Sequence, residues 1–384
     1  MSLDIGMARP HVVWVRAIVL SAVVGDPAWG RADGSAHRVG GPIAWQDMTD
    51  MPAPPALPAP TDLSGSRRLT PQALQVLCRD AVLAAGGSPE MSTSLAEATV
   101  AAERRGKRDV GAAHLLDYLA ALREGRLKGD ASPRIDRPRA AVVRVDADHG
   151  TAQLAVDRAA GALVEAARDC GIAVLTTFNS YPAGELALYA TRFAREGLVA
   201  LVCGNSSPLM AVHEARAAVA GTNPLAFALP HRHGPRVFDQ ASSATAWVKV
   251  RDAAQRGEPI PDGWGLGPDG EPTTDATAAL AGALLPFGGA KGANIAMMIE
   301  MLAAMSGGSF SLDAAPFDTG AEPPDLGLFI AAIDPTAVDP RYEERVEEHL
   351  QRLTGEHGVD FGRRKPPRTR IDLPEDLYQA LLAG

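Results

Sequence analysis

Residues 141–176 read AVVRVDADHGTAQLAVDRAAGALVEAARDCGIAVLT. Ala141 to Val145 reads as a strand. Thr151 to about Asp169 reads as a helix, and Gly171 leads into a second apolar run, Ile172 to Thr176. The pattern continues with a helix from Ala183 to Glu196, then Gly197 and the apolar run Leu198 to Cys203. Strands that alternate with helices predict an α/β core.

Upstream the pattern is helical. Thr70 can cap a helix with Pro71 at its first position, and Gly86-Gly87 ends it. Ser88-Pro89-Glu90 repeats the start signal for a helix reaching Gly106, and a third helix runs from about Asp109 to Glu124. Folded structure is expected to begin near Leu69. Pro52, Pro54, Pro55, Pro58 and Pro60 before it make an extended linker. The apolar stretch Val12 to Val24 is interrupted by Arg16 and makes a poor signal peptide. Residues 1–50 are therefore expected to be a dispensable leader, or sequence upstream of a start at Met48 or Met51. Downstream, Asn294 to Met305 is apolar nearly all round and is expected to be buried. The charged tail from Arg341 is helical, breaks at Lys365-Pro366-Pro367 and closes with a short helix from Pro374.

The 384 residues are 46% hydrophobic and 22% charged, enough apolar matter for a large core. A net charge of −9 argues against a nucleic-acid partner. No apolar run is long enough to span a membrane. Cys78, Cys170 and Cys203 are far apart, so a disulfide framework and a zinc knuckle are both disfavoured, and a cytoplasmic location fits. No metal is assigned.

Gly265-Leu266-Gly267-Pro268-Asp269-Gly270 has the spelling of a dinucleotide fingerprint, but no strand ends before it and Pro268-Asp269-Gly270 is turn chemistry. A nucleotide site must be built elsewhere, and two segments qualify. In Asp239-Gln240-Ala241-Ser242-Ser243, either serine can cap a helix running to Gln255, whose start would suit a phosphate; Lys249 lies about two turns on. In Phe287-Gly288-Gly289-Ala290-Lys291-Gly292, glycines flank a lysine ahead of the apolar helix. An ordinary capped surface helix and an ordinary glycine turn are the alternative readings. Gly221 to Pro230 is a turn followed by a strand.

These segments, with Ile260 to Trp264 and Pro272 to Asp275, occur in the order and near the spacings of one family. The chain resembles the non-Rossmann malate/L-lactate dehydrogenase family, which includes ureidoglycolate, sulfolactate and diketogulonate oxidoreductases and the piperideine/pyrroline-2-carboxylate reductases. The resemblance spans about residues 69–384. It implies a homodimeric NAD- or NADP-dependent enzyme with a central mixed sheet and helical N- and C-terminal parts. Residues 1–68 would be a disordered leader and linker. Residues 69–127 with 341–384 would form a helical domain, and 128–340 the cofactor-binding α/β domain. The family's nucleotide-contacting residues fall on Ser206, on Asp239, Gln240, Ala241, Ser242 and Ser243, on Lys249, and on Gly289, Lys291 and Gly292.

The departures fall on the chemistry. Members commonly carry Asn-Ser-x-His-Phe-Gly, whose histidine is the acid/base; Pro182 stands at that histidine. Members also carry Ser-His-Gly-x-x-Arg; here the segment is Asp109-Val110-Gly111-Ala112-Ala113-His114, with His114 at the carboxylate-holding arginine. Hydride addition to a ketone leaves an alkoxide that needs a proton donor. A cyclic imine can arrive as an iminium and yields a neutral amine without one. The substrate is thus expected to be a small 2-oxo or 2-hydroxy acid or a cyclic imine carboxylate. Replacement donors are His114, Tyr181 and Glu185. Each also has a bland reading: His114 as surface, Tyr181 as packing, Glu185 as a first-turn charge. A catalytically silenced homologue that binds nucleotide or a protein partner is the rival reading.

Overall fold

The computed structural model describes residues 65–362 and 366–383. The leader, the proline-rich linker and Lys365 lie outside the described residues. A short strand β1 (Ser66–Leu69) precedes three helices: α1 (Pro71–Ala84), α2 (Pro89–Arg105) and α3 (Ala112–Glu124). Thr70 Oγ1 accepts from Ala73 N–H and Ser88 Oγ from Met91 N–H, so both expected caps form. Gly106 closes α2 in the left-handed region. Just before Leu69, β1 pairs with a strand from the C-terminal part of the chain.

The α/β part contains β2 (Arg134–Arg139), β3 (Val142–Asp146), α4 (Ala152–Cys170), β4 (Ile172–Ser180), α5 (Ala187–Arg195), β5 (Val199–Gly204), β6 (Leu225–Leu229) and β7 (Arg236–Gln240). After these come α6 (Trp247–Arg256), the short β8 (Gly265–Leu266) and β9 (Pro272–Thr273), α7 (Ala276–Ala281), β10 (Ala283–Leu284), α8 (Ala290–Ala303) and β11 (Leu326–Ile333). The chain ends with α9 (Tyr342–His357), β12 (Ile371–Pro374) and α10 (Glu375–Leu382). Seven strands form one mixed sheet in the order β2-β3-β4-β11-β5-β6-β7. Only β3 and β4 are neighbours in parallel, and the other pairs are antiparallel. Following these directions, β3, β4, β5 and β7 all point the same way. Their carboxyl ends share one end of the sheet.

β11 explains the layering. Its alternate side chains Leu328, Ile330 and Ala332 join the core under α4 and α5, while Phe329 and Ala331 join Ile299 of α8 on the other face. A second core joins α1, α2 and α3 to Ile371, Leu373 and Leu381 of the C-terminal segment. α9 lies elsewhere: Glu347 pairs with His231 Nε2 at 2.6 Å and with Arg232 at 2.8 Å.

Three expectations need correction. α6 starts at Trp247 with Ala246 before it, so neither Ser242 nor Ser243 caps a helix. α5 starts at Ala187, four residues later than Ala183. α8 is not buried all round, since Met298 and Met301 are 43% and 50% exposed. Alanines and Ile299 face the sheet, and the flexible methionines take the outer flank. The Gly265–Gly270 segment is a β8–β9 hairpin, as its turn chemistry implied. Among the described residues no helix is long and apolar enough to cross a membrane.

Gly327 marks where α8 meets the sheet. A Cβ there would overlap Ala303 O at the end of α8, while its N–H donates to Asn205 Oδ1 at 3.0 Å. Gly327→Ala should therefore lower unfolding stability by about 2–3 kcal/mol, the upper part of the overpacking range. The shift of the urea midpoint measures it; an unchanged midpoint would show that α8 yields freely.

Candidate active site

Of the residues singled out by sequence, Tyr181 and Glu185 follow β4, Ser206 follows β5, and Asp239 to Ser243 run off the end of β7. Ser206, just past β5, accepts Thr222 N–H at 3.2 Å. Ser242 N–H donates to Thr222 O at 2.7 Å, and Ser242 Oγ donates to Asn223 O at 2.7 Å. Phe287 N–H then donates to Ser242 O at 3.0 Å, and Ala244 N–H to Leu285 O at 2.7 Å. Ser243 pairs with Pro286 as a β-bridge. The Asp239–Ser243 segment and the glycine-lysine loop are thus neighbours. Ser242 and Ser243 are buried and act as joints of this seam, with Ser243 Oγ donating to Thr245 O at 2.6 Å.

A cavity of about 680 Å³ opens beside the seam, bordered by Ala244, Leu285, Gly288, Gly289 and Ala290. That volume is within the roughly 300–1,000 Å³ of small-molecule and cofactor sites. Gly288 and Gly289 have φ of 58° and 61°, a conformation that side-chain-bearing residues rarely adopt. A Cβ on Gly292 would overlap Phe287 O, so only glycine closes this loop onto the helix. Ala290, the first residue of α8, borders the cavity, and the N–H groups of that first turn lack intrahelical acceptors. The open helix start beside the cavity is therefore that of α8, not the Ser242 segment. Lys291 is the second residue of α8 and exposed; Lys249 is exposed on α6. Neither lysine borders the cavity.

The structure brings His114 and Glu185 together and sets Tyr181 apart. His114, Gln153 and Glu185 line a small cavity of about 10 Å³, and Val110 and Gly111 share its wall. That is room for about one water. Gln153 is buried and its Oε1 has no hydrogen-bond partner. His114 Nδ1 lies 2.7 Å from Asp117 Oδ2, an arrangement that leaves Nε2 as the second functional nitrogen. Glu185 is held by Arg105 through Nε at 2.8 Å and Nη2 at 2.6 Å, with 6% of its side chain exposed. Tyr181 is fully buried and its hydroxyl donates to Phe317 O at 2.6 Å, outside this cavity. Tyr118 OH donates to Pro182 O at 2.6 Å and accepts from Gln153 Nε2 at 3.0 Å. Both positions vacated by histidines thus border or adjoin one small site. Burial pushes the Tyr118 hydroxyl well above the ordinary range.

Asp239 does something the sequence did not signal. Its Oδ2 accepts Ala187 N–H at 2.8 Å, capping α5 from a neighbouring strand. Burial, and secondarily the Glu185 carboxylate, raise its carboxyl from 3.8 to about 6, against the pull of Ala187 N–H, Lys107 and Arg105. Arg105, Asp117 and Phe317 were also missed. Arg105 belongs to the basic run Arg104-Arg105-Gly106-Lys107-Arg108 at the end of α2, which was the available signal. Phe317 makes edge-on ring contacts with His114 at 6.2 Å and with Trp247 at 6.3 Å, linking the helical part to α6.

Residues 69–365 match the malate/L-lactate dehydrogenase family. The chain belongs to that family. It is 37% identical over 313 residues to the (2R)-3-sulfolactate dehydrogenase (NADP(+)) of Chromohalobacter salexigens, covering 79% of this chain and 94% of the relative. It is 40% identical over 320 residues to the Delta(1)-pyrroline-2-carboxylate/Delta(1)-piperideine-2-carboxylate reductase of Pseudomonas syringae pv. tomato, covering 81% and 91%. A crystal structure of a delta1-piperideine-2-carboxylate reductase from Pseudomonas syringae pv. tomato superposes with a TM-score of 0.73 at 36% identity, over 83% of this chain and 93% of that one. As a malate/L-lactate dehydrogenase family member the chain is an oxidoreductase with the expected mixed α/β fold.

The raised Asp239 carboxyl has a testable sign. Between about pH 4 and pH 6 the folded chain holds a proton that the unfolded chain has released, so stability falls as pH rises through that window. Asp239→Asn keeps an acceptor for Ala187 N–H and removes the charge. Its gain in melting temperature over wild type should be larger near about pH 7.5 than near about pH 4.5. Equal differences at the two pH values would refute the assignment.

Proposed function

We propose that this protein is an NAD(P)H-dependent reductase of small cyclic imine carboxylates. The supporting observation is a replacement of side chains: Val110 stands where the family carries its first histidine, and Pro182, whose carbonyl accepts Tyr118 OH, stands at the second. Of the titratable groups that line the small cavity, Glu185 is held by Arg105. The bound coenzyme would supply hydride. Ser206, Ser242 and Ser243 fix the seam. The α8 turn and Gly288-Gly289 receive the pyrophosphate, and Lys291 adds a cation near it. His114, braced by Asp117, takes the substrate carboxylate, and Arg105 holds Glu185 in place. An iminium substrate needs no proton from the side chains that Val110 and Pro182 lack.

We further propose a homodimer built on the outer flank of α8. Met298, Met301 and Met305 expose 43%, 50% and 62% of their surface, and Phe310 and Leu312 are 43% and 63% exposed. Neighbouring apolar side chains of this kind form a patch suited to a second copy. Met301→Glu should shift sedimentation from dimer toward monomer at micromolar protein; an unchanged distribution would move the interface elsewhere.

The catalytic reading is tested by following the nicotinamide band with NADH and NADPH against pyruvate, 2-oxoglutarate, pyrroline-2-carboxylate and piperideine-2-carboxylate. Turnover should occur with the imines and fall by about 100-fold or more with the ketones, the size of a missing general acid. Coenzyme binding without turnover on any substrate would favour the silenced homologue. His114→Ala should raise KM for the imine with a smaller change in kcat; a loss confined to kcat would make His114 the proton donor instead. Val110→His should recover part of the ketone activity.

A further inference from the structure

Glu300 lies in the last turn of α8 with 3% of its surface exposed, and among the described residues no lysine, arginine or histidine pairs with it. Its two oxygens meet two separate parts of the chain. Oε2 accepts a side-chain N–H of Asn223 at 2.9 Å, and Oε1 accepts Ser311 N–H at 2.9 Å. Asn223 Nδ2 also donates to Ala296 O at 3.0 Å, so one amide grips two residues four apart on the same face of the helix. Asn223 and Ser311 are fully buried. A carboxylate at the negative end of a helix, buried without a cation, does not stabilise the helix itself. It attaches the helix to its surroundings. Asn223 belongs to the Ser242 seam: its carbonyl accepts Ser242 Oγ, and Ser242 O accepts Phe287 N–H just before α8 begins. The Thr222-Asn223 pair therefore reaches α8 twice, through Ser242 at the start and directly at Ala296 and Glu300. Ala290 and Glu300 are about 15 Å apart along the helix axis. Two attachments that far apart on a stiff rod fix both its axial position and its rotation.

We infer that Glu300 is a positioning residue for coenzyme binding, locking α8 in the placement in which its first turn and Gly288-Gly289 receive the pyrophosphate. The inference rests on the reading of the α8 turn given above. Glu300 does not border the cavity and acts only through the rod. Ser311 sits between Phe310 and Leu312 of the exposed apolar patch, so the same carboxylate also ties that face to the helix. Glu300→Gln keeps the volume but turns one acceptor into an N–H donor, set against either Asn223 Nδ2 or Ser311 N–H. One of the two ties must then break. α8 samples placements in which the glycine loop is misaligned, and the apparent affinity for coenzyme falls by the fraction of time that it is aligned.

The test is a calorimetric titration of the full-length protein with NADH and with NADPH, well below the melting transition of every variant. Glu300→Gln should weaken binding of the coenzyme that wild type takes by roughly tenfold, the scale of one lost hydrogen bond to a charged group. In turnover it should raise the coenzyme KM more than it lowers kcat. Glu300→Asp keeps the carboxylate but is too short to reach both donors, and should fall between the two. Ile299→Val is the control for a merely structural role: it removes one methyl from the adjacent core position of α8, and should lower the melting temperature while leaving coenzyme affinity unchanged. Unchanged affinity in Glu300→Gln would overturn the inference and leave the α8 reading standing. Equal weakening in Ile299→Val would overturn it too, because general loosening of the helix would then suffice. Should Glu300→Gln fail to fold, Glu300→Asp decides by the same comparison. If wild type binds neither coenzyme, the α8 reading itself fails and the inference falls with it.

Discussion

The contact on which the candidate site depends is the seam at Ser242. Its N–H, its hydroxyl and its carbonyl bond to Thr222, Asn223 and Phe287 in turn. A buried serine with every polar group engaged is rigid, because releasing any one bond strands a polar atom away from water. Through it the segments before β6 and after β7 are tied to the loop that opens α8, and Thr222 N–H joins Ser206, after β5, to the same seam. The cavity beside that loop follows from the tie. Were the seam looser, the glycine turn would have no fixed relation to the sheet, and a coenzyme laid on α8 would have no fixed relation to the substrate.

A second tie runs through charge. Asp239 leaves the same strand end as Ser242 but turns toward α5, where it accepts Ala187 N–H near Glu185, Lys107 and Arg105. Two carboxylates and two cations around one helix start form a network whose members are not independent. Arg105 grips Glu185 through two nitrogens, while Asp239 relies on one backbone donor and its partial burial. Burial raises the Asp239 carboxyl, and the neighbouring Glu185 carboxylate adds to the rise. The lost histidines thus leave a site that is still charged and ordered, though its donors are committed to one another more than to a substrate oxygen. That condition suits a substrate that brings its own proton.

Much of this was legible because it is local. Thr70-Pro71, Ser88-Pro89 and the Ala141–Thr176 alternation each encode their own element, and the helices and strands appear where those signals lie. The α6 start was misread because Ser242 and Ser243 have the chemistry of caps; the Ser242 hydroxyl instead bonds across the seam to Asn223 O, and the Ser243 hydroxyl bonds Thr245 O two residues on. β2 was missed because Pro138 and its charges do not read as a strand; it lies at the edge of the sheet, where proline is tolerated. β1 and β12 pair residues some three hundred positions apart, for example Arg67 with Leu373, a relation no local window holds. The candidate site divides the same way. The glycine loop and the Asp239 segment were found by spelling and family likeness. Arg105, Asp117 and Phe317 act only through partners far along the chain.

α8 carries three roles on three of its surfaces. Its first turn closes the glycine loop, its inner face holds Ile299 against Phe329 of β11, and its outer flank carries exposed methionines. A helix of 14 residues is a stiff rod about 20 Å long, so its ends do not move independently. Gly327 fixes the far end, because only a glycine lets β11 pass beneath Ala303 O. An interface on the outer flank would therefore restrain the same rod whose first turn would meet the pyrophosphate. Association and coenzyme binding would each hold α8 in the position the other requires, and the two would favour one another without any further contact between them.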